Sequence, residues 1–279
     1  MPGKLYVVGT PIGNLGDFSP RAVETLKNVN FIAAEDTRVT LKLLNKFSIN
    51  TKMVSYHEHN HVFRSEQIIS RLLLGEECAL VTDAGMPAIS DPGEDLVRLA
   101  HENGIEVCSV PGPSAVITAL AISGMSGGRF SFEGFLSTNK LSRTEHLQSL
   151  KEDTHTMIFY EAPHKLISTL RDMKAVFGDR KISICKELTK IHETSVTTTF
   201  SKALEHFEIT PPKGEYVIIV SGFEASKESG MTLEEAVNIA SEQIANGESA
   251  SSASRFAAKA SGIKKSEIYK EVLNKKNNE

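Results

Sequence analysis

The strongest constraint on this chain is a rhythm. Short apolar runs at Leu5–Val8, Phe31–Ala34, Met53–Ser55, Ala79–Val81 and Glu106–Val110 alternate with amphipathic stretches. Ser19-Pro20 reads as an N-cap followed by proline at the first helical position, with Val23, Leu26 and Val29 on one face. "TRVTLKLLNKF" carries Leu41 and Leu44 at helical spacing, and "FRSEQIISRLLLG" ends at Gly75, a C′ glycine. "SDPGEDLVRLAHENG" reads as a helix that starts at Asp91-Pro92 and stops at Gly104. Strands separated by helices predict an α/β fold with a mostly parallel, covered sheet.

The Gly/Ser-rich segment 123–131 marks a domain boundary, and a second alternation comes after it. "FSFEGFL", "HTMIFY", "KISICKEL", "TSVTTTF" and "EYVIIVSG" read as strands, with helices at "RTEHLQSLK", "HKLISTLRDMKAVFG" and "SKALEHF". Adjacent strand-like runs near 182–200 make part of this sheet antiparallel, hence a mixed sheet. Residues 223–230 read as a linker. Beyond it, Thr232 and Glu235 form a capping box, and two short helices come next, joined at Gly262-Ile263. The expected organisation is an N-terminal α/β domain (1–122), a second α/β domain with a mixed sheet (123–225) and a helix-turn-helix-like module (231–279), a division that suits 279 residues.

The formal net charge is −4, so no global basic field advertises a polyanion partner. Charge is local instead. From Ala250 onward seven Lys/Arg stand against three Glu, which makes the tail +4 and leaves −8 for the rest. That asymmetry points to nucleic acid at the C-terminal end, and equally suits a solvated helix face. Cys78, Cys108 and Cys185 sit in strand-like runs without CxxC spacing, and read as buried thiols in a reducing compartment. No apolar run approaches a membrane span, and the expected location is the cytoplasm.

In an open parallel sheet, ligands bind beyond the carboxyl ends of the strands. The segments there are "GTPIGNLGD", "EDTR", "YHEHNH", "TDAGMPAISDPG" and "PGPSA", then "YEAPHK" and "KELTKIHE" in the second half. Gly, Pro, Asp and Ser are ordinary turn residues one loop at a time, but seven loaded loops point to a site. The first loop nearly imitates a dinucleotide-binding turn, with Glu35 and Asp36 about twenty residues on. The imitation fails twice. Gly9 and Gly13 are four apart, and the helix starts only at Ser19-Pro20. Pro11 also lacks the N–H that a phosphate cradle uses. No GK[ST] or G-x-S-x-G occurs. His57, His59 and His61 alternate, so on a strand they would face one way and could hold zinc, though no thiol or supporting shell accompanies them. Asp83 comes directly after the apolar "CALV" and Thr82, and opens a loop with two glycines and two prolines, placed to accept hydrogen bonds from a ligand hydroxyl or amine.

Taken together, "GTPIGNLGD", "AAEDTR", "SYHEHN", "VTDAGMPAISDPG", "VPGPSA", "FYEAPHK" and "CKELTKIHE" resemble the ribosomal RNA small-subunit methyltransferase I family, within the tetrapyrrole-methylase-like class of S-adenosylmethionine enzymes. The resemblance covers essentially the whole chain. It implies two α/β domains with the cofactor, S-adenosylmethionine, in the cleft between them, a homodimer, and methylation of the ribose 2′-oxygen of a cytidine in 16S ribosomal RNA or the small subunit, without a metal. By motif, Asp83, Gly85, Met86, Pro87 and Ile89 line the cofactor, joined by Ser114, Ala115 and Tyr160, with Pro11 closing over it. Met86, Ala88 and Lys165 stand where relatives commonly have Thr, Leu and Arg.

Methyl transfer from a sulfonium is an in-line displacement, so positioning dominates and removal of the hydroxyl proton helps. The candidate bases are Glu35, Asp36, Glu161 and Glu187, with Lys190 eligible only if its pKa is depressed. Arg38, His57, His164 and Lys190 are candidates for holding phosphates or orienting the nucleotide. Each of these also suits an ion pair or a cap. Two other readings remain at this level: a tetrapyrrole or protein side-chain methylase on the same fold, and a non-catalytic RNA-binding assembly factor. A nicotinamide oxidoreductase is a remote fourth.

Overall fold

The computed structural model describes residues 1–224 and 231–278, with side chains through 275. The linker read at 223–230 therefore lies mostly outside the described residues. Two compact units are present, Met1–Phe223 and Glu224–Glu279.

The larger unit holds two five-stranded sheets. In the first, β1 (Lys4–Val8), β2 (Phe31–Ala34), β3 (Lys52–Ser55), β4 (Cys78–Val81) and β5 (Glu106–Val110) take the order β3-β2-β4-β1-β5. Every pair is parallel, with Phe31 beside Lys52 and Cys78, and Leu5 beside Val107. Helices α1 (Pro20–Asn28), α2 (Thr37–Lys46), α3 (His61–Leu73) and α4 (Glu94–Glu102) cover it. Side-chain alternation divides the core. Phe31, Ala33 and Leu80 point to Ile68, Leu72 and Leu96, while Ile32, Ala34 and Val81 point to Leu26 and Leu44. Both faces are thus dry, which is why β2 and β4 are buried at every position. Ser19 caps α1 as expected, its hydroxyl accepting from the Ala22 amide, and Gly75 takes the left-handed conformation past the end of α3.

The second sheet runs β6-β7-β10-β8-β9, built from β6 (Phe130–Phe135), β7 (Thr156–Glu161), β8 (Lys181–Lys186), β9 (Thr194–Thr199) and β10 (Tyr216–Val220). β6 and β7 are parallel and the other pairs antiparallel, so the sheet is mixed as its sequence implied. Helices α6 (Lys140–Ser149), α7 (Leu166–Phe177) and α8 (Phe200–Ile209) bury Leu147, Leu170 and Phe200 on one face. The other face takes α5 (Ala115–Ser123), through Val116, Ala119 and Leu120 against Ile158, Val217 and Ile219.

The smaller unit is α9 (Leu233–Ala245), α10 (Ala250–Ser261) and α11 (Lys265–Asn278) around Ala236, Ala240, Ala253, Ala257 and Ile268. The expected Thr232–Glu235 capping box starts α9, and Gly262 ends α10 in the left-handed region. Among the described residues no helix is long and apolar enough to cross a membrane.

Three local expectations are corrected. The helix read from Asp91-Pro92 starts later, at Glu94, with Gly93 as its N-cap, which leaves Asp91 in the preceding loop. His57, His59 and His61 are not on a strand, because β3 ends at Ser55 and α3 begins at His61. Cys78 and Cys185 are buried, but Cys108 is only half-buried, because β5 is an edge strand.

Candidate active site

The strand-end loops of the first sheet are tied to one another. The Thr10 amide donates to the Gly85 carbonyl at 2.9 Å and the Gly85 amide returns the bond to Thr10 at 3.1 Å. The Thr10 hydroxyl donates to the Thr82 carbonyl at 3.1 Å. Gly9 is glycine because a Cβ there would lie 2.6 Å from the Gly112 Cα and 2.6 Å from the Met86 sulfur. Gly13 is glycine because a Cβ would meet the Lys190 Cγ at 2.6 Å. The glycines that imitate a pyrophosphate turn thus serve close packing: one between two loops of the first sheet, the other against a loop of the second.

These loops and the second sheet enclose a cavity of about 440 Å³. From the first sheet it is lined by Glu35, Asp83, Gly85, Met86, Ile89 and Asp91; from the start of α5 by Ser114, Ala115 and Val116; and from the second sheet by Phe135, Tyr160, Glu161, Glu215 and Tyr216. Five carboxylates line it (Glu35, Asp83, Asp91, Glu161 and Glu215), and no lysine, arginine or histidine does.

The carboxylates differ in what they touch. Glu35 Oε2 accepts from the Thr82 hydroxyl at 2.6 Å and from the Asp83 amide at 3.3 Å. Its Oε1 has no hydrogen-bond partner among the described residues. Asp83 Oδ1 accepts from the Asp36 amide at 3.2 Å. Burial pushes the Asp83 carboxyl up, the Asp36 amide opposes this, and the charges of Glu35, Asp36 and Asp91 add to the rise. Burial also pushes Asp91 up, against the nearby Thr82 hydroxyl, with Glu35 adding to it. The Tyr160 phenol is raised mainly by burial.

The remaining expected bases are engaged elsewhere. Asp36 is the N-cap of α2, accepting from the Arg38 amide at 2.8 Å, and pairs with the Arg38 guanidinium at 2.6 Å. Arg38 holds its carboxyl well below the usual carboxylate range. Glu161 accepts from the Ala162 amide at 2.8 Å and the Thr169 hydroxyl at 2.5 Å, which pins the turn into α7. Glu187 Oε1 accepts from the Lys190 ammonium at 3.0 Å and the Glu215 amide at 3.0 Å, and Lys190 holds its carboxyl low. Lys190 also reaches Glu215 at 2.8 Å. Its pKa is raised, by Glu215 first, with Glu187 adding to the rise and burial opposing it, so the depressed pKa that a lysine base requires is absent.

Of the residues expected from sequence, the cavity brings together Glu35, Asp83, Gly85, Met86, Ile89, Ser114, Ala115, Tyr160 and Glu161. Pro11, Asp36, Pro87, Glu187 and Lys190 lie beside it in the same loops but do not line it. Arg38, His57 and His164 stand apart from the lining. Arg38 points largely into solvent, the His57 amide donates to Asn60 Oδ1 at 2.9 Å, and His164 is exposed on the turn before α7. His61 pairs with Asp95 at 3.0 Å, and among the described residues no three His, Cys, Asp or Glu are grouped to hold a metal ion. Sequence reasoning missed Asp91, Phe135, Glu215 and Tyr216. The first two lie inside segments already singled out. Tyr216 starts β10 and Glu215 precedes it; β10 runs opposite to β7, so its start lies at the rim.

Among the described residues, three of the four non-glycine residues with positive φ are at the same place, the fourth being Ser48. Ala88, Glu187 and Thr189 have φ of 65°, 52° and 64°, the left-handed region that non-glycine residues avoid. All three lie in loops that supply the cavity wall or its edge, as strained residues at functional sites do. Chemically, such a cavity can hold a cation and accept a proton, and it repels pyrophosphate.

The chain matches the family Tetrapyrrole (Corrin/Porphyrin) Methylases over residues 4–204. Similar folds occur in diphthine synthase (14% identity, TM-score 0.61, covering 79% of this chain and 90% of that one) and in a cobalt precorrin-4 methyltransferase (16%, 0.59, covering 78% and 94%). Ribosomal RNA small subunit methyltransferase I of Synechocystis sp. is 44% identical over 96% of this chain and 96% of its own length. The protein of that name from Thermotoga maritima is 47% identical over 80% of this chain and 100% of its own. With this cavity and these relatives, the chain belongs to the ribosomal RNA small subunit methyltransferase I family, within the tetrapyrrole methylases.

Proposed function

We propose that this protein is an S-adenosylmethionine-dependent methyltransferase acting on the ribose 2′-oxygen of a cytidine in 16S ribosomal RNA, with its chemistry in the cavity between the two sheets. The observation that carries this reading is the lining: five carboxylates, no cationic side chain, and apolar walls from Met86, Ile89, Val116 and Tyr160. A cofactor with a sulfonium and an ammonium fits such a donor set, whereas a pyrophosphate-bearing dinucleotide does not. When bound, S-adenosylmethionine supplies an electrophilic methyl group.

The protein's share of the work is positioning and proton removal. Asp83, Gly85 and Ser114 would hold the polar ends of the cofactor, with Met86, Ile89 and Tyr160 against its apolar parts. Glu35 is the favoured base among the four candidates, because its Oε1 is open while Asp36, Glu161 and Glu187 are committed to caps and ion pairs. The methylase alternatives with tetrapyrrole or protein substrates are not favoured by the relatives, whose names specify ribosomal RNA. A cytoplasmic location and a homodimer are part of the proposal. Ile117 and Ile122 on α5 and Val196 on β9 are exposed apolar side chains, which supports self-association through that face. Arg255, Lys259 and Lys270 in the smaller unit support RNA docking there, and binding of that kind should weaken steeply with salt.

The deciding experiment incubates small subunits from a strain lacking this gene with methyl-labelled cofactor and maps the product. Label on one ribose 2′-oxygen is expected. Label on a base or a protein, or none, overturns the reading.

A further inference from the structure

β6 carries a bulge that aims a side chain. Its register against β7 runs Phe130 to Thr156, Ser131 to Met157 and Phe132 to Ile158, then resumes at Gly134 to Phe159 and Phe135 to Tyr160, leaving Glu133 as the extra residue. In a regular strand Phe132 and Phe135 would face opposite sides of the sheet. The inserted residue brings both to one side. Gly134, at φ 64°, takes the backbone through the turn, and the displaced Glu133 is held by His146 of α6 at 2.9 Å. Both rings then meet Tyr160 edge-on, Phe132 at 4.9 Å and 65°, Phe135 at 5.4 Å and 63°. Phe132 is half-buried. Phe135 lines the cavity and remains 61% exposed.

An apolar ring anchored on one side and open on the other, at the edge of a cavity without cations, is suited to one part of an RNA. The five carboxylates repel phosphate, so a nucleotide cannot be held inside by its backbone. A base has a π-face that an aromatic side chain can receive. Resting on the methyltransferase reading above, we propose that Phe135 is the platform on which the base of the target nucleotide stacks once it is drawn out of the RNA, its phosphates staying outside the cavity.

The test uses the full-length protein and its Phe135→Ala, Phe135→Leu and Phe135→Trp variants, checked for unchanged thermal unfolding. Three measurements are made: cofactor Kd by calorimetry, KM and kcat on undermethylated small-subunit RNA, and the fluorescence of an RNA carrying a fluorescent cytidine analogue at the mapped nucleotide. Phe135→Ala should leave cofactor Kd within about twofold, raise KM for RNA about tenfold or more, and abolish the quenching seen with the wild-type protein. Phe135→Trp should restore both RNA readouts, and Phe135→Leu should not. Weakened cofactor binding with unchanged RNA KM would assign the ring to the cofactor and overturn the proposal. So would a leucine variant equal to wild type, or an active wild type that does not quench the analogue. A wild-type protein that binds cofactor but leaves RNA unlabelled would instead sink the methyltransferase reading itself.

Discussion

The carboxylates at the strand ends of the first sheet and those of the second hold corresponding positions and have opposite surroundings. Glu35 has one oxygen without a hydrogen-bond partner among the described residues, and Asp83 and Asp91 are pushed toward their neutral forms by burial, with the charge of Glu35 adding to both. Glu161 has both oxygens filled, by the Ala162 amide and the Thr169 hydroxyl, and Glu187 is held outside the lining by Lys190 and the Glu215 amide. The residue type does not set the job. A carboxylate whose oxygens are filled by its own chain is a brace, and one with an open oxygen toward a cavity is available to a ligand.

Replacing these acids one at a time sharpens this contrast. Glu35→Gln keeps the shape and removes the basic oxygen, so kcat should fall by about 10²–10⁴-fold with little change in thermal stability. A variant that retains most of its activity would move the base elsewhere in the cavity. Glu161→Ala should do the reverse, costing about 1–3 kcal/mol in urea unfolding, because the buried Thr169 hydroxyl and the Ala162 amide lose their acceptor. If Glu161→Ala were stable and inactive, the brace assignment would fail. The smallest effect belongs to Asp91→Asn. A carboxyl raised in the folded state disfavours folding once ionised, so the amide should raise the unfolding temperature near pH 7. That gain should shrink as pH falls below the raised folded-state value of Asp91 and vanish below the ordinary carboxylate value of about 3.9, where the carboxyl is neutral in both the folded and the unfolded chain. Cofactor binding should weaken in the same variant, the usual exchange of stability for function.

Much of this contrast was hidden in the sequence. The strands of the first sheet stand within a residue of where their apolar runs place them, because a parallel sheet buried on both faces leaves an uninterrupted apolar signature. The loops carrying Asp83, Gly85 and Ser114 were legible for the same reason, since strand direction fixes the rim. Glu215 and Tyr216 were not, because the segments after the strands exclude the start of an antiparallel strand, and β10 starts at the rim. Asp91 was mistaken for a helix start because Asp-Pro is a common one, and only the Gly93 cap shows that the helix begins later. No pattern along the chain shows that Lys190 would be claimed by Glu187 and Glu215, residues 3 and 25 positions away. Side-chain pairing of this kind is decided by packing.

The chain passes from the first sheet to the second once, between β5 and α5, through Pro111, Gly112, Pro113 and Ser114. Helix α5 packs on the second sheet, and its first residues wall the cavity. The covalent pivot of any rocking between the sheets therefore sits beside Ser114 and Ala115, stiffened by two prolines. Displacement grows with distance from a pivot, so the wall at Ser114 would be nearly stationary while the lip at Phe135 swings. Pairs of spin labels should show this as a broad distance distribution across the lip and a narrow one beside Ser114. Equal widths would mean that the two sheets do not rock about this link. On the function proposed above, a fold that rocks in this way would admit a bulky polymer at one end of the cleft without loosening its grip on a small molecule at the other.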